Sequence, residues 1–177
     1  MTHAELADAI RAAAYLEGDF LLRSGKRSRY YLDKYLFETQ PTILAALAER
    51  FCTFLTGETN CIAGAELGGV PLAAAVSLRS ALPFVIVRNA KKDYGTSKPV
   101  EGRLPDGAVV LLVEDIATTG GQVLEAARTL VEQGARIERI VATIDREEGA
   151  SQAIREAGFA FDRIFRVADL GINQSAR

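Results

Sequence analysis

The sequence predicts an α/β fold in which a mainly parallel central sheet is flanked by helices. Short apolar runs rich in β-branched residues alternate with segments of helical periodicity, and glycine or proline stands at most of the junctions. At 177 residues, 49% of them hydrophobic, the chain is long enough to bury one core without disulfides or a structural metal. We therefore expect a single domain over residues 1–177, with a compact core and a small cap.

The N-terminal part of the chain predicts a helix, a short β region and a second helix. Residues 2–16 carry Ala, Leu and Ile at helical spacing, and Thr2 is a suitable N-cap. Residues 20–22 and 30–32 are apolar or aromatic, and a Ser-Gly-Lys turn between them favours two short strands. Pro41 occupies the expected first turn of the next helix, where its missing N–H costs nothing.

From residue 61 onward, strands and helices are predicted in regular alternation. Apolar runs predict strands at 61–65, 83–88, 108–115, 137–145 and 161–167. Helical periodicity predicts helices at 69–80, 118–135 and 148–158. Strands that alternate with helices form parallel sheets through βαβ connections, so this part of the chain determines the predicted fold class.

Composition and charge exclude several classes of protein. The 21 basic and 23 acidic residues leave a formal net charge of −2, which disfavours a general nucleic-acid binder. No apolar run approaches the ~18 residues that a membrane helix needs, and the polar N-terminus does not resemble a secretory signal. Cys52 and Cys61 form no metal-ligand or disulfide pattern. We expect a cytoplasmic protein that binds neither nucleic acid nor membrane, either an enzyme or a binding module.

Residues 89–107, which we call the basic loop, form a long stretch without a regular pattern. They are polar and contain several glycines and prolines. The basic residues in or next to this stretch are Arg88, Lys91, Lys92, Lys98 and Arg103. Connections of this length are usually functional lids or disordered segments. Two interpretations stay open: a solvated surface hairpin, or a mobile basic lid over an anionic ligand.

Residues 109–122 carry the most specific chemical pattern in the sequence. A predicted buried strand ends in Glu114 and Asp115, a turn of threonines and glycines follows at 118–121, and a helix then begins. Backbone N–H groups, hydroxyls and a helix N-terminus favour a phosphate in that turn. The two carboxylates would repel a phosphate, but they suit the vicinal hydroxyls of a sugar or a hydrated divalent cation. The combination indicates a ribose 5-phosphate; the alternative is a capped helix after a strand that happens to end in acids.

Residues 113–121, VEDIATTGG, resemble the phosphoribosyl-diphosphate (PRPP) signature of the type I phosphoribosyltransferases. Further segments, in the family order, narrow the resemblance to the orotate phosphoribosyltransferases. They are FLLRSGKRSRYYLD (20–33), AGAELGGVP (63–71), RNAKKDYGTSKPVEG (88–102) and DREEGA (145–150). The resemblance covers nearly the whole chain, and several matching segments in order are far more specific than any one of them.

This resemblance implies a type I phosphoribosyltransferase fold whose N-terminal hood is formed mainly by about residues 1–40. It implies conversion of orotate and PRPP to orotidine 5-monophosphate and diphosphate in pyrimidine nucleotide synthesis. Mg²⁺ is the implied cofactor, carried by PRPP near Glu114 and Asp115 without a direct protein ligand. The resemblance also implies a homodimer in which residues 89–107 act on the active site of the neighbouring subunit.

The resemblance also implies roles for individual residues. Glu114 and Asp115 would hold the ribose hydroxyls and stabilise positive charge on the ribose ring, while Arg88 and Lys92 would stabilise the departing diphosphate. These are the implied catalytic residues. The further implied PRPP contacts are Ile116, Ala117, Thr118, Thr119, Gly120, Gly121, Gln122, Asn89, Tyr94, Arg23, Leu67 and Gly68. The implied orotate contacts are Thr118, Tyr31, Leu32 and Arg146, whose guanidinium suits a bidentate contact with the orotate carboxylate.

Some of these assignments have plainer alternatives. Arg146 equally fits a surface position in a charged turn, and Tyr30 and Tyr31 fit ordinary packing in a β-hairpin. Asn89 stands where the family usually has lysine, and Tyr94 stands where many members have histidine. These departures bear on the catalytic rate more than on the ligand class. Two other functions therefore stay open: a phosphoribosyltransferase for another base, and a non-catalytic PRPP-binding regulator.

Overall fold

The computed structural model describes residues 1–21, 27–89 and 98–172. Its helices are α1 His3–Ala14, α2 Lys34–Glu38, α3 Pro41–Cys52, α4 Gly69–Ser80, α5 Gly121–Glu132 and α6 Ala150–Glu156, with a 3-10 helix at Val167–Leu170. Its strands are β1 Tyr15–Leu21, β2 Arg27–Leu32, β3 Cys61–Ala65, β4 Phe84–Val87, β5 Val100–Glu101, β6 Val109–Ala117, β7 Arg136–Asp145 and β8 Phe161–Arg166. Each strand and helix predicted from residue 61 onward is present, which confirms the α/β class.

The main sheet has six strands in the order β5-β4-β3-β6-β7-β8. All neighbouring pairs except β4 and β5 are parallel. From β3 the chain crosses through α4 to β4 on one side, then returns past β3 to β6 and continues through β7 to β8. The strand order therefore reverses between β3 and β6. Ligands of open parallel sheets bind beyond the carboxyl ends of the strands at such a switch point.

The two faces of the sheet carry separate apolar cores. Helices α1, α3 and α4 cover one face, where Phe51, Leu72 and Phe165 are fully buried. Helices α5 and α6 cover the other face, where Leu130 and Ile154 are fully buried. Burial on both faces explains why the central strands are almost continuously apolar and do not alternate with polar residues.

Strand β6 distributes its side chains between the two cores. Leu112 belongs to the core beneath α5, whereas Val113 belongs to the core beneath α3 and α4. Successive side chains of a strand point to opposite faces, so Glu114 follows the row of Leu112 and Asp115 follows that of Val113. The two acids therefore begin on different faces of the sheet, each next to a different set of loops.

Helix α1 packs into the main core. Thr2 caps it in a reciprocal capping box with Glu5, which satisfies two backbone N–H groups at the helix start. Leu6 and Ile10, one turn apart, are fully buried in the same core as α3 and α4. None of the helices in the described ranges is long and apolar enough to cross a membrane.

The β1–β2 hairpin, which we call the hood hairpin, forms a two-stranded sheet separate from the main sheet. Strand β1 begins at Tyr15, earlier than the predicted strand at 20–22, because Tyr15 pairs with Leu32 of β2. Most of β1 is exposed, whereas Tyr30 and Leu32 of β2 are buried. The hood hairpin leads through a single residue into α2.

The described part of the basic loop contains the short strand β5. Val100 pairs antiparallel with Val87, and the Arg88 N–H donates to the Pro99 carbonyl over 2.9 Å. The expectation of a stretch without regular structure is therefore wrong at residues 100–101, because the edge of β4 offers unpaired backbone groups there. This pairing places residues 99–101 beside the carboxyl end of β4.

Candidate active site

Four connections meet beyond the carboxyl ends of β3, β4, β6 and β7, where the strand order reverses. They are residues 66–68 before α4, residues 88–89 at the start of the basic loop, residues 118–120 before α5 and residues 146–149 before α6. Helix α2 reaches the same edge from the hood side through its first residue. The described site residues that the sequence predicts, apart from those of the hood hairpin, lie in or next to these connections.

The turn after β6 has the geometry of an anion site. Residues 118–121, which we call the phosphate turn, line a cleft of about 360 Å³ together with Glu114 and Gln122. Gly120 has a φ of 82°, in the left-handed region that glycine adopts without cost, and α5 begins at the next residue. The first turn of α5 leaves backbone N–H groups without helical partners, and the helix dipole favours an anion beside them.

Glu114 and Asp115 are almost completely buried, at 7% and 3% exposure. Lys34 Nζ donates to Asp115 Oδ2 over 2.5 Å, and Asp115 Oδ1 accepts from the N–H of Ile116. Burial raises the pKa of Glu114 well above its usual value. The Asp115 charge raises it further, while Lys34 opposes the shift. Without a ligand, burial and the neighbouring Asp115 therefore favour the protonated form of Glu114, while Lys34 pairs with Asp115.

The acid pair suits a ligand that donates hydrogen bonds. A carboxylate offers about four acceptor positions, so both acids together keep positions for two neighbouring hydroxyls. Their position beside the phosphate turn brings diol binding and phosphate binding into one cleft. That combination matches the ribose 5-phosphate indicated by the sequence.

Residues 65–69, which we call the diphosphate loop, pack directly against Asp115. A Cβ at Gly68 would lie 1.6 Å from Asp115 Oδ2, so a larger residue there would displace the carboxylate. A Cβ at Gly64 would lie 2.1 Å from the Gly69 carbonyl oxygen, so β3 and α4 approach each other backbone to backbone. The peptide bond between Glu66 and Leu67 is cis. Glycine therefore sets the position of this loop relative to the acid pair.

Asn89 joins the start of the basic loop to two other connections. Its Nδ2 donates to the Glu66 carbonyl over 2.5 Å, and its Oδ1 accepts from Gln122 Nε2 over 3.3 Å. Gln122 Nε2 also donates to the Glu66 carbonyl, over 2.8 Å. Arg88 pairs with Glu66 and Glu101 at 3.5 and 3.6 Å. Asn89 thus forms a neutral hydrogen-bonded link where the family pattern places a cation.

Arg146 is held inside the site, with a side chain only 14% exposed, so the surface alternative for this residue is wrong. Its guanidinium lies 5.7 Å from the centroid of the Tyr30 ring, and Nη2 lies 3.5 Å from the Tyr30 hydroxyl. It also pairs with Glu148 at 3.0 Å. The buried Asp145 fixes this turn by accepting the N–H of Glu147 over 2.8 Å.

Backbone hydrogen bonds tie the Arg146 turn to the phosphate turn. The Arg146 N–H donates to the Ala117 carbonyl over 2.9 Å, and the Ala150 N–H donates to the Thr118 carbonyl over 3.0 Å. A group bound at Arg146 and a group bound in the phosphate turn are therefore held at a fixed separation by the main chain.

The hood hairpin places Tyr30 next to Arg146. Tyr31 is 43% exposed, and its ring packs on Phe20 with a centroid distance of 5.6 Å. Leu32 is buried at 5% exposure on the same face of β2 as Tyr30. The orotate contacts of Tyr31 and Leu32 stay predictions, and Tyr30 is a further candidate on the inner face.

Three predicted contacts, Arg23, Lys92 and Tyr94, lie outside the described residues. Sequence reasoning missed Lys34 and Glu66, and it considered Tyr30 only as a packing residue. No sequence signal marks the pairing of Lys34 with Asp115, since 81 positions separate the two residues. Tyr30 and Glu66 both lie in segments that resemble the family, but the sequence does not show which way their side chains point.

The described residues contain no cluster of three or more acidic, histidine or cysteine side chains that could hold a metal ion. Mg²⁺ characteristically binds to one or two carboxylates and completes its shell with substrate phosphates and water. Glu114 and Asp115 form such a carboxylate pair. The residues present therefore fit a Mg²⁺ that arrives on a diphosphate ligand.

The chain is similar to known phosphoribosyl transferases. The family model of the phosphoribosyl transferase domain matches residues 40–173. The orotate phosphoribosyltransferase of Halobacterium salinarum is 44% identical over 167 residues, which cover 94% of this chain and 95% of that protein. The orotate phosphoribosyltransferase of Methanocella arvoryzae is 39% identical over the same shares of the two chains.

Solved structures agree with these sequence matches. The orotate phosphoribosyltransferase of Mycobacterium tuberculosis has a TM-score of 0.85 at 27% identity, over 96% of this chain and 99% of that chain. The same protein in complex with PRPP has a TM-score of 0.77 at 26% identity, over the same shares. The class is therefore that of the phosphoribosyl transferases. Within this class, the chain belongs to the orotate phosphoribosyltransferase family.

Proposed function

We propose that the protein transfers the phosphoribosyl group of PRPP to N1 of orotate, which gives orotidine 5-monophosphate and diphosphate in pyrimidine nucleotide synthesis. The observation that carries the proposal is the cleft after β6, where an anion-binding turn lies beside the buried Glu114, with the buried Asp115 next along the strand. A ribose 5-phosphate complements both features. The orotate phosphoribosyltransferase relatives, at 44% and 39% identity, support the choice of base.

In this proposal the phosphate turn binds the 5-phosphate. The hydroxyls of Thr118 and Thr119 and the backbone N–H groups of Gly120 and Gly121 donate to the phosphate oxygens, and the dipole of α5 adds to the attraction. The other residues that line the cleft next to this turn are Ile116, Ala117 and Gln122. A ligand anchored there places its ribose beside the acid pair.

Glu114 and Asp115 accept the ribose hydroxyls and face the ring on which charge develops. When the bond from C1 to diphosphate breaks, positive charge appears on the ribose ring. Fixed carboxylates in a buried site stabilise that charge more strongly than water does. N1 of orotate forms the new bond to C1 as the bond to diphosphate breaks, and its proton passes to the departing diphosphate. The chain's main task is therefore to position the two substrates and stabilise charge.

The departing diphosphate lies against the diphosphate loop and the cations of the basic loop. Leu67 and Gly68 contribute backbone groups, while Arg88 and Lys92 supply positive charge as the leaving group gains negative charge. Arg88 already balances Glu66 and Glu101, so diphosphate takes the place of these acids as its partner. A bound Mg²⁺ would supply further neutralisation of the diphosphate.

Arg146 recognises the carboxylate of orotate in this proposal. Its ion pair with Glu148 marks a position in which the guanidinium already binds a carboxylate. Orotate would exchange with Glu148 there, and a planar guanidinium can make two parallel hydrogen bonds to it. Tyr30 supports the guanidinium from the hood side, and Thr118 lies next to the base through the main-chain link between the two turns.

The family resemblance supports two further parts of the proposal. The protein forms a homodimer in which the basic loop of one subunit covers the site of the other, and it acts in the cytoplasm. Asn89, the first residue of that loop, and Arg88 just before it contact Glu66 of the diphosphate loop within one subunit. The basic loop therefore begins beside the site of its own subunit.

The proposed activity is tested by following the absorbance of orotate in the presence of PRPP and Mg²⁺. We expect one diphosphate to be released for each orotate consumed, no consumption of adenine, hypoxanthine or uracil, and little turnover by Asp115→Asn. Consumption of another base alone would assign a different phosphoribosyltransferase. PRPP binding without turnover of any base would assign a regulator.

A further inference from the structure

Lys34 is the first residue of α2 and follows the hood hairpin. Its Nζ donates to Asp115 Oδ2 over 2.5 Å, between side chains that are 29% and 5% exposed. Burial disfavours the charged form of Lys34, but the Asp115 carboxylate outweighs this effect, so the pKa of the ammonium lies above its usual value. The contact is therefore a largely desolvated ion pair, in which loss of one partner leaves the other charge uncompensated.

The ion pair packs directly on the diphosphate loop. A Cβ at Gly68 would lie 1.6 Å from Asp115 Oδ2 and 3.1 Å from Lys34 Nζ. The other oxygen of the same carboxylate, Oδ1, accepts from the N–H of Ile116. The Asp115 carboxylate is thus fixed from three directions: by α2, by the diphosphate loop and by its own strand.

These contacts leave Asp115 able to bind a ligand. A carboxylate has about four acceptor positions, of which Lys34 and Ile116 use two. The remaining positions can accept hydroxyl hydrogens, so the contact with Lys34 and a contact with ribose do not compete. Lys34 and a ribose hydroxyl can hold the same carboxylate at the same time.

Lys34 also balances the acids around Asp115. Glu38, one helical turn along α2, and Glu114, beside Asp115, are both buried. The charge of Lys34 lowers the pKa of each of these carboxyls, against the effects of burial and of Asp115. Without Lys34, three buried acids would surround the place where a polyanionic ligand binds.

We propose that Lys34 is a positioning residue of the PRPP site: its ammonium holds the Asp115 carboxylate against Gly68 in the orientation that accepts a ribose hydroxyl. This inference rests on the proposed function. Lys34 acts through Asp115 and needs no contact with either substrate. Because α2 follows the hood hairpin through Asp33 alone, the hood side of the molecule contributes to PRPP binding as well as to the surroundings of Arg146.

The test measures Mg²⁺-PRPP binding by titration calorimetry, together with steady-state kinetics. We expect Lys34→Met to weaken PRPP binding by about tenfold or more while the KM for orotate stays within about twofold. Lys34→Arg should keep most of the PRPP affinity. Lys34→Gln, which keeps a hydrogen-bond donor without the charge, should have an affinity between those of Lys34→Met and Lys34→Arg. Arg136→Met removes an exposed cation that pairs with Glu58, and this control should bind PRPP like the wild type.

A double-mutant cycle separates positioning from a general structural effect. In an Asp115→Asn background, Lys34→Met should change PRPP affinity by less than about twofold, because the partner through which Lys34 acts is gone. Additive losses, or equal losses for PRPP and orotate, would overturn the inference. If thermal melting shows that Lys34→Met does not fold, the same double-mutant cycle is measured with Lys34→Gln and Lys34→Arg in its place.

The outcomes also separate this inference from the proposed function. A wild-type protein that binds no PRPP overturns both. A wild-type protein that binds PRPP, alongside folded Lys34 variants of unchanged affinity, overturns only the role of Lys34.

Discussion

The carboxyl pair of Glu114 and Asp115 lies in a buried site, where burial favours the protonated form of Glu114 and Lys34 pairs with Asp115. Burial and the neighbouring carboxylate raise the pKa of Glu114 well above its usual value, which favours its protonated form. A ribose diol also needs acceptors, and an ionised carboxylate accepts hydrogen bonds better than a protonated one. PRPP binding should therefore favour the ionised form of Glu114.

We expect PRPP affinity to rise with pH as Glu114 loses its proton. Its pKa is raised in the free protein and falls when the ligand binds, so binding releases a proton and becomes more favourable at higher pH. Calorimetry in two buffers of different ionisation enthalpy measures this release. Glu114→Gln separates it from titration of the PRPP phosphates, and identical pH dependence in variant and wild type would contradict the prediction.

Arg146 is the residue proposed to recognise the base. We expect Arg146→Ala to raise the KM for orotate by about 10- to 100-fold and to leave the KM for PRPP nearly unchanged, since the lost interaction is with the orotate carboxylate. Arg155→Ala, which removes an exposed arginine from α6, is the matched control. An effect of Arg146→Ala on PRPP alone would show that the guanidinium has been assigned to the wrong substrate.

The junction between β3 and α4 depends on glycine for its close contact with β6. Gly68 has a φ of −67° and a ψ of −30°, which any residue adopts, so only the space beside Asp115 excludes a side chain. The contact therefore links the diphosphate loop to the acid pair by sterics alone.

We expect Gly68→Ala to raise the KM for PRPP by about tenfold or more, because the added methyl displaces the Asp115 carboxylate. Gly57→Ala is the matched control, since a Cβ there meets nothing within 4 Å. Steady-state kinetics and thermal melting of both variants check the prediction. Equal kinetics for the two would mean that Asp115 moves aside without consequence.

Helix α2 carries a second unusual carboxyl, that of Glu38. The residue is 1% exposed, and neither of its carboxyl oxygens has a hydrogen-bond partner among the described residues. Burial, followed by the Asp115 charge, raises the pKa of Glu38 to about 8 from the usual 4.5. The folded protein therefore binds a proton that the unfolded chain releases between these two values.

From this difference we expect the free energy of unfolding to fall as pH rises from about 5 to 8, by at most about 5 kcal/mol from this group. The contribution of Glu38 is fully present below the unfolded pKa and is lost as pH rises through the folded pKa. Glu38→Gln should flatten this part of the profile and stabilise the protein at high pH. Denaturant unfolding at several pH values measures the free energy of unfolding of both proteins. Parallel pH profiles of this free energy for Glu38→Gln and the wild type would contradict the prediction.

For the whole molecule, the switch point between β3 and β6 explains why distant segments of the sequence form one site. The diphosphate loop, the phosphate turn and the Arg146 turn each follow a strand, and parallel strands end at the same edge of the sheet. In the proposed homodimer, one further segment, the basic loop, comes from the other subunit.

Mixing two inactive variants tests this sharing. Lys92→Ala disables the loop and Asp115→Asn disables the acid pair, so a mixed dimer contains one site with both defects and one with neither. After dissociation and remixing in equal amounts, we expect about a quarter of the wild-type activity to return. A mixture that stays inactive although mixed dimers form would show that the loop serves its own subunit.

The sequence predicts the local parts of this site well and the long-range parts poorly. The strand, acid pair, phosphate turn and helix of residues 109–132 are contiguous, so apolar patterning and turn chemistry are enough to predict them. The face on which Tyr30 or Tyr31 lies depends on how β2 sits on the core, which two adjacent tyrosines do not reveal. The contact of Lys34 with Asp115 arises only when the hood hairpin and β6 come together.

The proposed function depends on the joint binding of a phosphorylated ribose by Glu114, Asp115 and the phosphate turn. A crystal structure of the protein with Mg²⁺ and PRPP tests it most directly. We expect the 5-phosphate within residues 118–121 and the ribose hydroxyls within hydrogen-bonding distance of both carboxylates. A bound PRPP that leaves this turn empty and makes no contact with either carboxylate would contradict it.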